Sequence, residues 1–145
     1  MKCSINTRRA EQCPRIARKP HMAQIHNSSI AFSILKGRYN PLREEFWLIT
    51  LNTCLQEIST TMISRGTLNF CLVHPRDLFR EALVANAYAM IIAHNHPSLN
   101  LQPTPEDLEL TKKLTLIAGI IEIPIIDHII FSDENYFSFK ENNLI

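Results

Sequence analysis

Apolar positions change their spacing several times along the chain, and each change predicts a different element. Over residues 25–36, Ile25, Ile30, Phe32, Ile34 and Leu35 recur loosely at helical intervals, and Gly37 supplies a stop. Residues 45–52 (EFWLITLN) and 55–64 (LQEISTTMIS) are rich in β-formers and joined by a short polar link, which predicts a hairpin. A further short strand is expected at 68–73. Residues 75–87 open with Pro75 and set Leu78, Phe79, Ala82 and Leu83 on one helical face. Residues 88–94 (YAMIIAH) form a continuous apolar run, as in a strand buried on both faces. A helix over 105–119 follows, with acids in its first turn and Gly119 as its stop. Strands within 121–133 and 136–140 complete the pattern. Strands and helices alternate without strict βαβ repetition, so the expected class is α/β with a mixed sheet.

Composition narrows this only a little. With 46% hydrophobic and 20% charged residues among 145, the chain is globular rather than disordered. Cys3, Cys13, Cys54 and Cys71 are widely spaced, with no C-x-x-C pair and no legible secretory leader, so free thiols in a reducing cytoplasm are expected. No apolar run approaches the roughly 20 residues that span a bilayer.

Charge divides the chain in two. Residues 1–21 carry six basic side chains against Glu11, whereas residues 22–145 hold nine basic and thirteen acidic groups. The first segment lacks apolar periodicity, contains Pro14 and Pro20, and is expected to be a flexible basic arm; Met22 offers an internal start. Clustered Lys and Arg attract phosphates, so the arm is either a nucleic-acid contact or a solvated tail. The acidic body adds no DNA-binding face.

The chemistry concentrates at residues 91–110, IIAHNHPSLNLQPTPEDLEL. If the strand extends to His96, His94 and His96 point to one side and Asn95 to the other. Two imidazoles at this spacing can reach one ion at about 2.1 Å. Pro97 turns the chain, and Asp107 follows in the first turn of the next helix. Two neutral imidazoles and one carboxylate make a three-ligand zinc set with an open fourth position, the catalytic rather than the structural pattern. A competing explanation exists for Asp107. Thr104 at the N-cap, Pro105 at the first helical position and Asp107 at N3 approach a capping box. A carboxylate there can also serve both purposes.

The run His94-Asn95-His96-Pro97-Ser98, followed by Thr104-x-x-Asp107, resembles the JAMM motif of JAB/MPN metalloproteases, and specifically its RadC branch. The segments REEFWLITLN, GTLNFCLVHPRDLFREAL, DLELTKKL and DHIIFSDENYFSF resemble RadC segments in the same order, so the likeness covers roughly residues 25–145. It implies a JAB/MPN-like mixed sheet flanked by helices, of cytidine-deaminase-like architecture, over residues 22–145. The helix-hairpin-helix region of full-length RadC proteins is not seen, so a short stand-alone form is expected. The resemblance also implies one Zn²⁺ per chain held by His94, His96 and Asp107, with the upstream glutamate in REEF. The family spacing of Glu, one variable residue and Phe selects Glu44 over Glu45. Adjacent strand residues face opposite ways, so only one of the two can approach the metal.

The implied reaction is hydrolysis of a peptide or isopeptide amide by a metal-activated water. Glu44 is expected to act as proton acceptor and donor, and the Thr104 hydroxyl to hydrogen-bond the developing oxyanion. The expected partner is a peptide or protein substrate, and no membrane. The RadC association with DNA repair names a phenotype rather than a reaction. Two departures bear on the loop: Leu99 stands where the family has Gly, and Thr104 where it has Ser. A Gly there with positive φ would make Leu99 a strained replacement.

Two other classes compete. An HNH nuclease shares the letters, but its residues are spread over a ββα unit, and Asp107 has no role in it. A metal-free MPN-type binding module would lack ligands that are all present here. Among the remaining residues, His128 is expected to be a hydrogen-bonded core or edge histidine, and Asp127 to orient a site residue. His74 fits a strand-to-helix turn, and Phe46 and Trp47 belong to the core.

Overall fold

The computed structural model of the protein describes residues 24–66 and 72–145. Among them the order is α1 (Ser28–Leu35), β1 (Glu45–Leu51), β2 (Glu57–Arg65), α2 (Pro75–Val84), β3 (Ala89–Asn95), α3 (Pro105–Ile120), β4 (Ile125–Phe131) and β5 (Tyr136–Ser138). The strands form one sheet ordered β2-β1-β3-β4-β5, in which only the β3–β4 pair is parallel. A parallel pair requires a crossover, and α3 supplies it. The expected α/β class with a mixed sheet and flanking helices is what the chain forms.

Each helix is bounded by local chemistry. Asn27 caps α1, its side chain accepting from the Ile30 amide at 3.0 Å. At the far end of α2, Asn86 takes a left-handed φ of 49° and the Ala87 amide returns to the Ala82 carbonyl. The sequence predicted that α3 would stop at Gly119. Instead the helix runs through Gly119 to Ile120, and Glu122 adopts the left-handed conformation (φ 57°). The Ile123 amide then bonds the Ala118 carbonyl at 3.1 Å, and both side chains are buried in one cluster. Burial of Ile123 thus places the helix end, overriding the glycine signal.

The sheet has two covered faces. On one, Phe46, Leu48, Met90, Ile92 and Ile125 pack with Leu78, Phe79 and Ala82 of α2 and Leu114 and Ala118 of α3. On the other, Ile49, Leu51, Ile91, Ala93, Ile129 and Phe131 pack with Ala31 and Leu35 of α1. Phe46 is core, as expected, and Trp47 packs at the edge of the second cluster. Strand β3 is buried along its whole length, because it lies central in the sheet with helices on both sides.

The basic arm at 1–21 and most of the strand expected at 68–73 lie outside the described residues; Leu72 and Val73 belong to no strand. Cys54 is an exposed free thiol, and the other three cysteines lie outside the described residues. No helix among the described residues is long and apolar enough to cross a membrane.

Candidate metal centre

Strand β3 ends at Asn95, beside the N-terminus of the crossover helix α3. In α/β folds the crevice at the carboxyl end of a parallel strand is the usual place for a ligand. The pleat sends His94 to the α2/α3 side with Met90 and Ile92, and Pro97 follows one residue beyond His96. His94 Nε2 and His96 Nε2 stand 2.9 Å apart. Asp107 Oδ1 is 3.1 Å from His94 Nε2, and its Oδ2 is 3.5 Å from His96 Nε2. Ligands of a tetrahedral zinc at about 2.1 Å lie roughly 3.4 Å from one another, so the observed spacings match what one ion needs. The three side chains offer ligand atoms all within 4.8 Å of one another.

Asp107 caps its helix while standing within reach of both imidazoles. It completes the capping box with Thr104: the Thr104 amide donates to Oδ2 at 2.8 Å, and the Asp107 amide donates to Thr104 Oγ1 at 3.2 Å. The Thr104 hydroxyl also donates to Oδ2 at 2.8 Å. A hydroxyl has one proton, so in this arrangement Thr104 orients Asp107 and has none left for an oxyanion. Sequence reasoning gave Thr104 the second task; the geometry gives it the first.

The imidazoles are held from behind. His96 Nδ1 donates to the Asn100 carbonyl at 2.6 Å. A carbonyl only accepts, so the proton sits on Nδ1 and the Nε2 lone pair faces the cluster. The turn that brings Asn100 back is closed by the Leu99 amide bonding the His96 carbonyl at 2.9 Å, and Leu99 takes φ 61°. Leucine therefore holds a left-handed φ at the position where the resemblance has glycine, at some cost in strain. His94 Nδ1 lies 2.9 Å from His128 Nε2, which is wholly buried and stacked on Phe139 with ring centroids 4.4 Å apart.

These contacts correct one expectation. Asp127 does not face the site. It lies on the α1 side, accepting from Ser28 Oγ at 2.8 Å, Ser138 Oγ at 2.8 Å and the Lys140 amide at 3.0 Å. The neighbouring His128 is the residue that reaches a site histidine. A register shift opposite Met90 and Ile91 explains the placement, since it puts Ile125 and Asp127 on opposite faces of β4. His74 sits at the N-cap of α2 and makes no side-chain cap bond.

Glu44 and Glu45 diverge as the pleat requires. Glu45 is buried on the α1 side, where Arg65 Nε (2.8 Å) and the Asn40 amide (3.2 Å) bond it. Glu44 is half-buried and lines the same cleft as His94, His96 and Asp107. Asn95, between the two histidines, brackets this residue. Its Oδ1 accepts from the Glu45 amide at 2.9 Å, and its Nδ2 donates to the Arg43 carbonyl at 2.8 Å. Sequence reasoning noted only that Asn95 points away; the signal was its place between two histidines that face the other way.

The electrostatics follow from crowding. Burial disfavours charge on Asp107, yet the adjacent His94 and His96, with the Thr104 amide, outweigh it and hold the carboxyl far below the ordinary carboxylate range. Burial also opposes charge on His96, but Asp107 and the Asn100 carbonyl raise its pKa on balance. Burial raises Glu44, with His94 and His96 pulling the other way. Burial, then the neighbouring His94, push His128 well below the usual histidine value, so it is neutral. The cleft is about 960 Å³, walled by Phe46, Leu72, Val73 and Leu110 on its apolar side.

A family model described as the RadC-like JAB domain matches residues 25–144. A UPF0758 protein of Rubrobacter xylanophilus is 40% identical over 131 residues, covering 90% of this chain and 57% of that protein. Another, from Clostridioides difficile, is 48% identical over 103 residues, covering 71% of this chain and 44% of its own length. A third, from Desulforudis audaxviator, is 43% identical over 102 residues, with coverage of 70% and 44%. The chain spans about half the length of these curated relatives. With the fold, the His-His-Asp cluster and a family match over nearly all of the described residues in agreement, the chain belongs to the RadC-like JAB family.

Proposed function

We propose that the protein is a zinc-dependent hydrolase that cleaves peptide or isopeptide amides of a protein substrate in the cytoplasm. One observation carries the reading: two imidazole nitrogens and a carboxylate oxygen converge beside a half-buried glutamate in an open cleft. The donor set of two nitrogens and one oxygen suits zinc and leaves a coordination position free. When bound, such an ion polarises a carbonyl and makes water a nucleophile near neutral pH.

The chain's own residues supply the rest. His94 and His96 present bare Nε2 atoms, and Asp107, fixed by Thr104, offers Oδ1. Glu44 accepts the proton of the attacking water and delivers it to the leaving amine nitrogen. The apolar wall of Leu72, Val73 and Leu110 excludes water from one side of the substrate.

The test pairs metal content with turnover. Protein purified without chelator should carry one zinc per chain, and Glu44→Gln should keep it while losing about 10²- to 10⁴-fold in hydrolysis of a peptide and isopeptide library. A wild type that takes up no zinc, or a Glu44→Gln variant as active as wild type, overturns the reading. Metal-dependent cleavage of plasmid DNA in place of amides would favour a nuclease.

A further inference from the structure

Behind His94, a chain of contacts crosses three elements and returns to the metal cluster. Thr111 Oγ1 lies 2.6 Å from the backbone carbonyl of Asp107 and 2.6 Å from His128 Nδ1. His128 Nε2 lies 2.9 Å from His94 Nδ1. His94 and Asp107 are themselves two members of the cluster. The path thus runs from β3 to β4 to α3 and closes at the N-terminus of α3.

Proton accounting gives this ring one direction. Two oxygens 2.6 Å apart need a proton between them, and the Asp107 carbonyl has none, so the Thr111 hydroxyl donates to it. Thr111 has then spent its only proton. His128 Nδ1 must donate to Thr111 Oγ1, which leaves a neutral His128 with its lone pair on Nε2. That lone pair accepts from His94 Nδ1–H. Nε2 of His94 is left bare, facing His96 and Asp107. His128 has no solvent contact and is flanked by Phe139 and Phe46, with ring centroids at 4.4 and 5.8 Å. It cannot turn to other partners without leaving a buried nitrogen unsatisfied.

We infer that Thr111 and His128 are positioning residues that lock His94 in the Nδ1–H tautomer, and so set its Nε2 as a metal ligand from the backbone of a second ligand, Asp107. The inference rests on the metal-site reading above but can be tested apart from it. His96 achieves the same end with a single carbonyl. His94, deeper in the sheet, is met at Nδ1 by His128 Nε2 among the described residues, and that neutral side chain with one donor and one acceptor carries the constraint inward. Neither Thr111 nor His128 lines the cleft. Their effect is on affinity and ligand orientation.

Nitrogen-15 spectra of metal-free wild type at a pH where histidines are neutral should show His128 and His94 both protonated at Nδ1, the tautomer that a free histidine side chain disfavours. A proton on His128 Nε2 overturns the inference without any variant. Competition with a chromophoric chelator should show Thr111→Val weakening zinc about 10- to 100-fold, the range for loss of a group behind a ligand. Thr111→Ser, which keeps the hydroxyl, should restore wild-type affinity. A folded Thr111→Val with wild-type affinity and unchanged tautomers overturns the relay; if it does not fold, the wild-type spectra and Thr111→Ser decide. A wild type that binds no zinc sinks the hydrolase reading, while the tautomers still settle the relay.

Discussion

On the α1 face of the sheet, buried Asp127 collects protons from Ser28, Ser138 and the Lys140 amide, and buried Glu45 collects them from Arg65 and the Asn40 amide. On the opposite face, His94 Nε2 stands 3.1 Å from Asp107 Oδ1 and His96 Nε2 3.5 Å from Oδ2, and the two nitrogens are 2.9 Å apart. The same strands build both arrangements, one residue apart: Asp127 beside His128, Glu45 beside Glu44, Asn95 between two histidines. The difference lies in the supply of donors. Where acceptors are matched by protein protons, the polar group is a staple that holds α1, β5 and the sheet together. Where every proton is drawn to the back of the cluster and lone pairs converge in front, the cluster is short of positive charge, which a divalent cation would satisfy.

Substitutions on the two faces should therefore fail in different ways. His96→Ala should lower zinc affinity by more than about 10²-fold, beyond the loss expected for a group behind a ligand, while thermal unfolding of the metal-free protein changes little. Zinc titration of both proteins checks it, and equal affinities would erase the contrast. Asp127→Ala should do the reverse. It leaves two hydroxyls and an amide without their acceptor and should cost about 1–3 kcal/mol in urea unfolding, with zinc stoichiometry unchanged. Loss of zinc in a folded Asp127→Ala variant would show that the faces are coupled.

The smallest effect is expected at the rim. Leu99 is 65% exposed and sits at φ 61°, so Leu99→Gly relieves left-handed strain and sacrifices little burial. The gain, set against the extra freedom of glycine in the unfolded chain, should stay below about 1 kcal/mol, and zinc binding should be retained. A loss of stability would mean that the leucine side chain holds the loop through contacts of its own.

Much of this molecule was legible in the order of its residues. The switch from helical to alternating spacing located the hairpin of β1 and β2, the buried β3 and the long α3, because amphipathic period is a local property. The histidine pair, the strand end and the Thr104-Pro105-x-Asp107 helix start could be read together, since each depends on residues a few positions apart. Gly119 misled because the end of α3 was settled by the burial of Ile123, a distant-packing matter that outranks local backbone preference. The choice between Asp127 and His128 was out of reach for a sharper reason. Side chains alternate across a strand only while pairing stays in step, and the irregularity opposite Met90 and Ile91 changes which face each residue of β4 meets. Nothing in the letters around Asp127 encodes that slip. The sequence alone determined which candidate ligands the chain carries. The tertiary structure decided which of their nitrogens is bare, because that depends on protons passed between β3, β4 and α3, elements that meet only when the sheet is assembled.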